Sequence, residues 1–434
     1  MNIVQKNKIG NYRWFIVFLL FMVTTINYID RQILGLLEPL LAKIFNWSEI
    51  DYSRIVMAFT ACYAIGMLFY SKVIDKIGTR LGYTISVTVW SIAAMLHAAV
   101  RSTFGFGAVR ALLGLGESGN YPGGVKTVGE WFPKKERSLA IGILDSGSNI
   151  GACVGPVLVP WLLSAYGWQA AFIITGSLGF IWLIVWRIFY AIPSKQKRLS
   201  VSEFKYIQSD IEEDITVEED KASDVSWGRL LRLKQTWAFI VGKFFTDPIW
   251  FFFLFWLPSY FSTHFHLDVK KPGLPLVIIY SGTMIGSIGG GYLSSWLIKK
   301  GWHVYKARKM ALLVSAICVI PIFITRYTSN MWVVVAMITL SAAANQAWSA
   351  NIFSIVPDMF PKRVTSSVVG LGGMFGAIGS VLFPLFIGYI LEFYKNTGNI
   401  IAGYNIIFII CATSFLVAWL IIHFLVPKME RVKI

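Results

Sequence analysis

Four charged residues stand inside stretches of the sequence that are otherwise apolar enough to cross a membrane. Asp30 and Arg31 are adjacent in one such stretch, and Arg110 and Glu117 lie seven residues apart in another. Insertion scales put an Asp, Lys or Arg at the centre of a bilayer at a cost of roughly 2.5–3.5 kcal/mol. A chain that keeps two acids and two arginines there has a use for them, and their chemistry indicates two tasks: holding an anion and carrying a proton.

The spacing of these charges indicates how they would work together. Seven residues are about two helical turns, so Arg110 and Glu117 share one face of a helix. An arginine suits a carboxylate because its planar fork donates two parallel hydrogen bonds. Burial favours the neutral form of an acid and a nearby cation favours the charged form, so an acid between them can load and release a proton. Alternatively, the set consists of static ion pairs that fix helix packing.

The composition is that of a membrane protein. Of 434 residues, 56% are hydrophobic and 14% are charged, whereas a soluble domain has about 25% charged residues. The formal net charge of +16 would suggest nucleic-acid binding in a soluble protein. Here the basic residues collect in short loops on one side of the predicted spans. Orientation in a lipid bilayer explains them, and we expect no nucleic-acid partner.

Twelve stretches of the sequence could cross a membrane as helices. Each provides about 20 mostly apolar residues, the length that a bilayer requires. We therefore predict an all-α membrane protein with twelve transmembrane helices. The stretches are residues 14–37, 52–74, 81–100, 104–132, 138–165, 168–192, 237–261, 274–298, 310–325, 332–356, 366–394 and 405–426.

Loop charge and loop length predict the topology. Lys and Arg collect in both termini and in loops after even-numbered spans, which the positive-inside rule places in the cytoplasm. The longest loop, 193–235, would link an N-terminal six-helix bundle (1–192) to a C-terminal one (236–434). In this loop, Ser200 and Glu203 have the spacing of a capping box, which predicts a short helix.

The two halves carry a similar loop after their second span. The first copy begins at Ser71 and contains Asp75 and Arg80, and the second has Ser295 followed by a basic cluster that ends in Lys309. Two six-helix bundles with this duplicated loop resemble the major facilitator superfamily, whose halves rock about a central site. The resemblance implies that Asp75 and Arg80 are gating residues on the inner side. Alternatively, they only orient the chain in the membrane.

Within that superfamily, the chain resembles the anion:cation symporter family over nearly its whole length. The segments that carry the resemblance are residues 27–31 (NYIDR), 110–117 (RALLGLGE), 130–138 (EWFPKKERS) and 168–176 (WQAAFIITG). The last two look most like bacterial hexuronate transporters, which import galacturonate and glucuronate.

The resemblance implies a role for each of the four charges. Arg31 would bind the substrate carboxylate, and Asp30 and Glu117 would take protons. Arg110 would pair with Glu117 and tune it. The adjacent Asp30 and Arg31 resemble the galactonate branch of the family more than the hexuronate branch, which leaves the exact sugar acid open.

Further residues are candidates for the substrate pocket. Tyr28 and Tyr63 match positions at which related sugar-acid transporters place pocket tyrosines. In the tenth span, the amides of Asn345 and Gln346 could bracket sugar hydroxyls, and the indole of Trp348 could stack on the ring. Alternatively, these groups make hydrogen bonds between helices.

The seventh span contains a lysine, an acid and a proline: Lys243, Asp247 and Pro248. Such residues imply a locally opened helix where it lines a cavity. Asp247 is a third candidate for ion coupling. Lys243 lies early in the span, so we expect it to extend toward the membrane interface.

The sequence therefore predicts a secondary active transporter of the bacterial inner membrane that imports a hexuronate by proton symport. Alternatives are an aldonate, aldarate or other organic anion as substrate, sodium as the coupling ion and, more remotely, a sugar-acid sensor. The sequence contains no P-loop, catalytic motif or grouped metal ligands, so we expect neither an ATP-driven pump nor an enzyme, and no cofactor or metal. We expect the protein to be a monomer.

Overall fold

Almost all of the described chain is helical. The computed structural model describes residues 10–209, 227–268, 270–271, 273–360, 362–428 and 432, and a few side chains within helices, including that of Asp75, lie outside the description. No strand occurs in these ranges, so the predicted all-α class is confirmed. The helices are α1 (Tyr12–Phe45), α2 (Glu49–Ile77), α3 (Thr79–Leu96), α4 (Thr103–Glu117), α5 (Asn120–Trp131), α6 (Lys134–Tyr166), α7 (Trp168–Phe189), α8 (Val201–Ile207), α9 (Trp227–Leu230), α10 (Lys234–Phe255), α11 (Leu257–Phe265), α12 (Leu274–Lys299), α13 (Val304–Val319, continued by a 3-10 helix, Ile320–Tyr327), α14 (Met331–Met359), α15 (Lys362–Asn396) and α16 (Ile400–Leu425).

Nine of the described helices are long and apolar enough to cross a membrane. They are α1, α6, α7, α10, α12, α13 with its 3-10 extension, α14, α15 and α16. The predicted stretches 52–74, 81–100 and 104–132 also fold as helices, namely α2, α3 and the pair α4 and α5, which are not among these nine in the part of the chain that the structure describes. Helices α4 and α5 are individually too short for a bilayer, with 15 and 12 residues.

Two of the predicted spans are interrupted. The stretch 104–132 divides after Glu117, between α4 and α5. The stretch 237–261 divides between α10 and α11, and Pro258 stands in the first turn of α11, where its missing N–H leaves no helical bond unmade. The first break places the Glu117 carboxylate at the C-terminal end of α4. The helix dipole disfavours an anion there, so a cation is needed beside it.

Small residues bring helices α12 and α14 into close contact. A Cβ atom added at Gly286 would lie 2.0 Å from the main-chain oxygen of Ala343, and one at Gly290 would lie 2.4 Å from the Cβ of Ala347. Glycine and alanine four residues apart on facing helices are typical of close backbone packing in membranes. The wall of the C-terminal half therefore depends on the absence of side chains at these two glycines.

Several described hydrogen bonds between the two halves of the chain lie toward the C-terminal end of α1, and others join α6 to α12, where the Thr283 hydroxyl donates to Asn149 Oδ1 at 3.3 Å. The Glu49 carboxylate pairs with the Lys395 ammonium at 3.1 Å, and the Tyr52 hydroxyl donates to the main-chain oxygen of Phe255 at 2.8 Å. These four residues define what we call the closed end of the molecule. Helix α6 also packs on α12 across the same boundary.

The predicted helix in the linker is present as α8, but its acid has a different partner. Ser200 Oγ accepts from the Glu203 amide at 3.2 Å, as a capping box requires. The Glu203 carboxylate does not return to this cap. It accepts from the amides of Tyr12 and Arg13 at 3.2 and 3.0 Å, and from Arg13 Nη1 at 3.1 Å. Glu203 thus caps the start of α1 and fixes α8 to the N-terminal half; residues 210–226 of the predicted linker lie outside the description.

We expect Gly286→Ala to lower the thermal midpoint of the purified protein by several degrees, because the new methyl group must push α14 away from α12. Overpacking of this kind costs about 1–3 kcal/mol. Gly289→Ala is the matched control, since it lies on the same helix with no atom within 4 Å of the added Cβ. Thermal unfolding followed by tryptophan fluorescence measures both variants. Equal midpoints would show that the two helices do not pack at Gly286.

Candidate functional site

The four charges predicted from the sequence come together in the N-terminal half. Asp30 and Arg31 lie on α1, and Arg110 and Glu117 lie on α4. Arg31 is 4% exposed, and the other three are fully buried. Burying these four charges therefore costs free energy. The contacts of each side chain determine how that cost is offset and which role the residue can have.

Arg31 and Glu117 form a buried ion pair. Arg31 Nε donates to Glu117 Oε2 at 2.8 Å, and Arg31 Nη2 donates to Asn27 Oδ1 at 3.4 Å. The second carboxylate oxygen of Glu117 has no hydrogen-bond partner among the described residues. No ion pair joins Arg110 to Glu117 among the described residues, because seven residues place them roughly 10 Å apart along the helix axis. The two groups still act on each other electrostatically, so the role of Arg110 in tuning Glu117 stays a prediction.

Arg110 supports the backbone at Arg31 instead. One of its nitrogens, Nη2, donates to the main-chain oxygen of Arg31. Its guanidinium carbon lies 4.8 Å from the ring centroid of Phe59 and 5.6 Å from that of Phe255, which belongs to α10 in the other half. Gly114 allows α4 to reach this position, because a Cβ atom there would lie 2.5 Å from the main-chain oxygen of Phe59. Arg110 therefore connects the ion pair to the C-terminal half.

Asp30 lies on a different face of α1 from Arg31. Neither of its carboxylate oxygens makes a hydrogen bond of ordinary geometry with a described residue, although the Thr175 hydroxyl on α7 is nearby. Adjacent helical residues point about 100° apart, so Asp30 faces α7 while Arg31 faces α2 and α4. Asp30 is still close enough to Glu117 and Arg110 to interact with both electrostatically.

Aromatic rings surround the Arg31 guanidinium. Its central carbon lies 4.7 Å from the ring centroid of Tyr28, 5.3 Å from that of Phe59 and 4.6 Å from that of Tyr63. Such cation–π contacts hold a guanidinium in place while leaving donors for a ligand. The structure therefore brings Tyr28 and Tyr63, both predicted from the sequence, beside the predicted carboxylate ligand.

The three candidates in α14 point in different directions. Asn345 is 6% exposed and donates to the main-chain oxygen of Thr246 on α10 at 3.4 Å. Gln346 is half-buried. Trp348 is fully buried, with its ring edge-on to Phe415 at 5.4 Å. Residues two apart on a helix project about 200° apart, so Gln346 and Trp348 face different sides of α14, and the stacking of Trp348 on a sugar ring stays a prediction.

Lys243 does not extend to the membrane interface as predicted. Its ammonium nitrogen lies 2.8 Å from Asp247 Oδ1, one helical turn along α10, and 4.3 Å from the ring centroid of Phe353. The lysine is 7% exposed. An acid within reach satisfies the ammonium better than a long path to water, so the C-terminal half contains a second charged pair.

The two predicted gating residues have different outcomes. Asp75 lies in α2, and its side chain is outside the description. Arg80 is exposed, and its Nη2 donates to the main-chain oxygen of Arg187 at the end of α7. The described contact of Arg80 therefore lies within its own half of the chain.

Asp145 on α6 is an acid that the sequence reasoning missed. It is exposed and close enough to Tyr28 and Tyr121 to interact with both hydroxyls electrostatically. Tyr121 is itself 42% exposed. The criterion that selected Asp30 would have found Asp145, because it is a lone acid in a predicted apolar span.

Comparisons with known proteins agree with the resemblance predicted from the sequence. The description "Major Facilitator Superfamily" belongs to the family model that matches residues 20–384. The hexuronate transporter of Escherichia coli (strain K12) is 31% identical over 389 residues, which cover 89% of each chain. The galacturonate transporter of Dickeya chrysanthemi is 32% identical over 315 residues, which cover 72% of this chain and 90% of that one.

A solved structure matches the fold. It is a bacterial homolog of the human lysosomal transporter Spinster, in an inward-facing and occupied conformation, and it superposes with a TM-score of 0.76. The match covers 96% of this chain and 97% of that chain at 15% sequence identity. At that identity the likeness concerns the fold alone.

We expect Asp30→Asn to leave the thermal midpoint unchanged or to raise it, because the substitution replaces a buried carboxyl group with a neutral amide of the same shape and breaks no described hydrogen bond. Glu203→Gln is the comparison variant: it weakens three bonds to a carboxylate, each worth about 1.5–3 kcal/mol, and should lower the midpoint clearly. Thermal unfolding in detergent measures both. If Asp30→Asn lowers the midpoint as much as Glu203→Gln, Asp30 is charged and paired in the folded protein.

Proposed function

The chain belongs to the Major Facilitator Superfamily, and on that premise we propose that this membrane transporter imports a sugar-acid anion together with protons. The substrate class we propose is a hexuronate, such as galacturonate or glucuronate. Two of the similar proteins transport such acids. An aldonate or aldarate, or sodium as the coupling ion, is the alternative. We place the protein in the bacterial inner membrane as a monomer.

The ion pair between Arg31 and Glu117 is the observation that carries this proposal. Arg31 is bound to Glu117 through Nε at 2.8 Å and is bordered by Tyr28 and Tyr63. We propose that the substrate carboxylate binds the edge of the guanidinium formed by Nε and Nη2 in a bidentate manner and so takes the place of Glu117. Arg31 therefore holds either the protein's own acid or the substrate's.

This competition provides a physical basis for coupling. When the substrate displaces Glu117, the acid is left buried without a cation, which is unfavourable unless it takes a proton. Substrate binding and protonation of Glu117 then favour each other. When the substrate leaves, Arg31 recovers Glu117, and the proton is released to the same side.

Asp30 is the second proton carrier in this proposal. It is fully buried without a described cation partner of its own, so it can gain a proton without giving up an ion pair. Arg110 stabilises the backbone of α1 next to Asp30, because its Nη2 donates to the main-chain oxygen of Arg31. Two protons for each monovalent anion would move one net charge, which gains about 2.3 kcal/mol per 100 mV of membrane potential.

The proposed topology has twelve spans and both termini in the cytoplasm. It counts α2, α3 and the pair of α4 and α5 as spans in addition to the nine long apolar helices. The bundles are residues 1–192 and 236–434, joined by the linker 193–235. The closed end then faces outward, and the site opens to the cytoplasm. Rocking of one bundle against the other exposes Arg31 to each side in turn.

The remaining pocket residues complete the proposal. Tyr28 and Tyr63, which lie beside Arg31, and Asn345, Gln346 and Trp348 on α14 would contact the sugar. Asp75 and Arg80 would be gating residues at the cytoplasmic side, where Arg80 is exposed and free to change partners as the bundles move.

We expect wild-type protein in proteoliposomes to exchange labelled galacturonate in a counterflow assay, and Arg31→Lys to abolish exchange nearly completely. A point charge cannot replace the bidentate fork. A sensor or an enzyme would show no exchange in the wild type. If Arg31→Lys keeps an affinity near that of the wild type, the carboxylate-clamp role is wrong. Arg326→Lys, which changes an exposed arginine beside Phe323 and Tyr327 outside the site, is the matched control.

We expect Glu117→Gln to retain counterflow but to lose accumulation driven by a proton gradient, because the amide imitates the protonated acid and cannot release a proton. Uptake of labelled galacturonate into proteoliposomes with an imposed pH gradient measures accumulation, and counterflow measures exchange in the same preparation. Asp30→Asn, assayed in parallel, separates the two acids. Normal accumulation by Glu117→Gln would exclude this residue as a proton carrier.

A further inference from the structure

The pair of Lys243 and Asp247 is unequal in its exposure. The Asp247 side chain is 27% exposed and the Lys243 side chain 9%, while the two are joined at 2.8 Å. The acid is therefore the group that meets an incoming ligand, and the ammonium lies behind it. In the Arg31 pair the order is reversed, because the Arg31 side chain is 4% exposed and that of Glu117 is 0% exposed.

The surroundings hold Asp247 in this position. A Cβ atom at Gly376 on α15 would lie 2.3 Å from Asp247 Oδ2, so only glycine leaves room for the carboxylate there. The ring of Phe353 on α14 covers the ammonium of Lys243 at 4.3 Å. Three helices thus fix a carboxylate whose charge is compensated from one side only.

The axial position of the pair matches the length of a sugar acid bound at Arg31. Helices α1 and α10 are level at the closed end, where a Cβ atom at Gly35 would lie 3.3 Å from Phe255 Cα. Arg31 comes four residues before Gly35 on α1, and Asp247 comes eight residues before Phe255 on α10. At about 1.5 Å per residue, their Cα atoms therefore differ by about 6 Å along the helix axes. An extended chain of six carbon atoms is roughly 6 Å long from end to end. A substrate with one end on Arg31 therefore reaches the level of Asp247 with the other.

We propose that Asp247 forms the distal end of the substrate site and selects sugar acids that carry a single carboxylate. A hexuronate presents hydroxyl groups at that end, which donate hydrogen bonds to the carboxylate. An aldarate presents a second carboxylate at that end, and Asp247 repels it. Lys243 cannot bind this second carboxylate, because Asp247 stands between them. This inference rests on the proposed function and narrows its substrate class.

The test compares two ligands that differ in charge at the distal end. Galacturonate has one carboxylate and closes to a ring, and galactarate, its open-chain product of oxidation at C1, has two carboxylates. We expect wild-type protein to bind galacturonate more tightly in a thermal-shift or calorimetric titration. Asp247→Asn removes the repelling charge and leaves Lys243 free as a cation, so the affinity ratio should move toward galactarate by at least about tenfold.

Matched variants separate selectivity from general damage. Asp358→Asn breaks the pair of Asp358 with Arg308, which are 3.1 Å apart and outside the site, and should leave the ratio unchanged. Lys243→Gln combined with Asp247→Asn removes both charges and should give a ratio between those of the wild type and of Asp247→Asn. Asp247→Ser should reproduce the shift if the asparagine variant fails to fold.

The outcomes distinguish this inference from the proposed function. If the wild type binds neither acid, the proposed function is wrong and the inference falls with it. If the wild type binds galacturonate but Asp247→Asn and Asp247→Ser leave the ratio unchanged, the inference alone is wrong. An equal shift in Asp358→Asn would also overturn it, because the effect would not come from the site.

Discussion

The buried ion pair between Arg31 and Glu117 is the interaction on which the rest of the site depends. Removing two charges from water costs several kcal/mol for each ion, and only close geometry and further bonds offset that cost. The structure supplies them: a contact of 2.8 Å, the Asn27 oxygen and three aromatic rings around the guanidinium. The pair forms between residues 86 positions apart, so it requires α1 and α4 to pack first.

Packing of this closeness comes from glycine on both sides of the molecule. Gly114 brings α4 against α2 beside the ion pair, and Gly286 brings α12 against α14 in the other half. The ion pair that joins the halves at the closed end is weaker by comparison. The Lys395 side chain in this pair with Glu49 is 46% exposed, and exposed pairs contribute about 0–1 kcal/mol. This pair can therefore break and form again at little cost.

Much of the fold and part of the site could be predicted from the sequence. Apolar length located the long helices, and the rarity of charges in apolar stretches selected Asp30, Arg31, Arg110 and Glu117, which do meet. The partners could not be predicted. Helical periodicity predicts which residues share a face of a helix. It does not predict which neighbouring helix that face contacts. Arg110 was therefore assigned to Glu117 on the strength of a shared face, although its contact is the Arg31 carbonyl.

The same limit explains the other differences. Asp145 was missed although it is a lone acid in an apolar stretch, because its neighbours Tyr28 and Tyr121 lie on other parts of the chain. Lys243 was expected at the interface because it comes early in its span, and the acid one turn along the helix attracts it instead. The cap formed by Glu203 joins residues about 190 positions apart, a contact that no local pattern contains.

The two charged pairs have opposite polarity, and that arrangement favours one orientation of a ligand. In the N-terminal half the cation is the more exposed partner, and in the C-terminal half it is the acid. A molecule with a carboxylate at one end and hydroxyl groups at the other satisfies both halves at once, with its carboxylate on Arg31. Such a ligand draws the two walls together when it is bound, whereas a ligand with carboxylates at both ends is attracted by one wall and repelled by the other. Selectivity and closure would then come from the same pair of contacts.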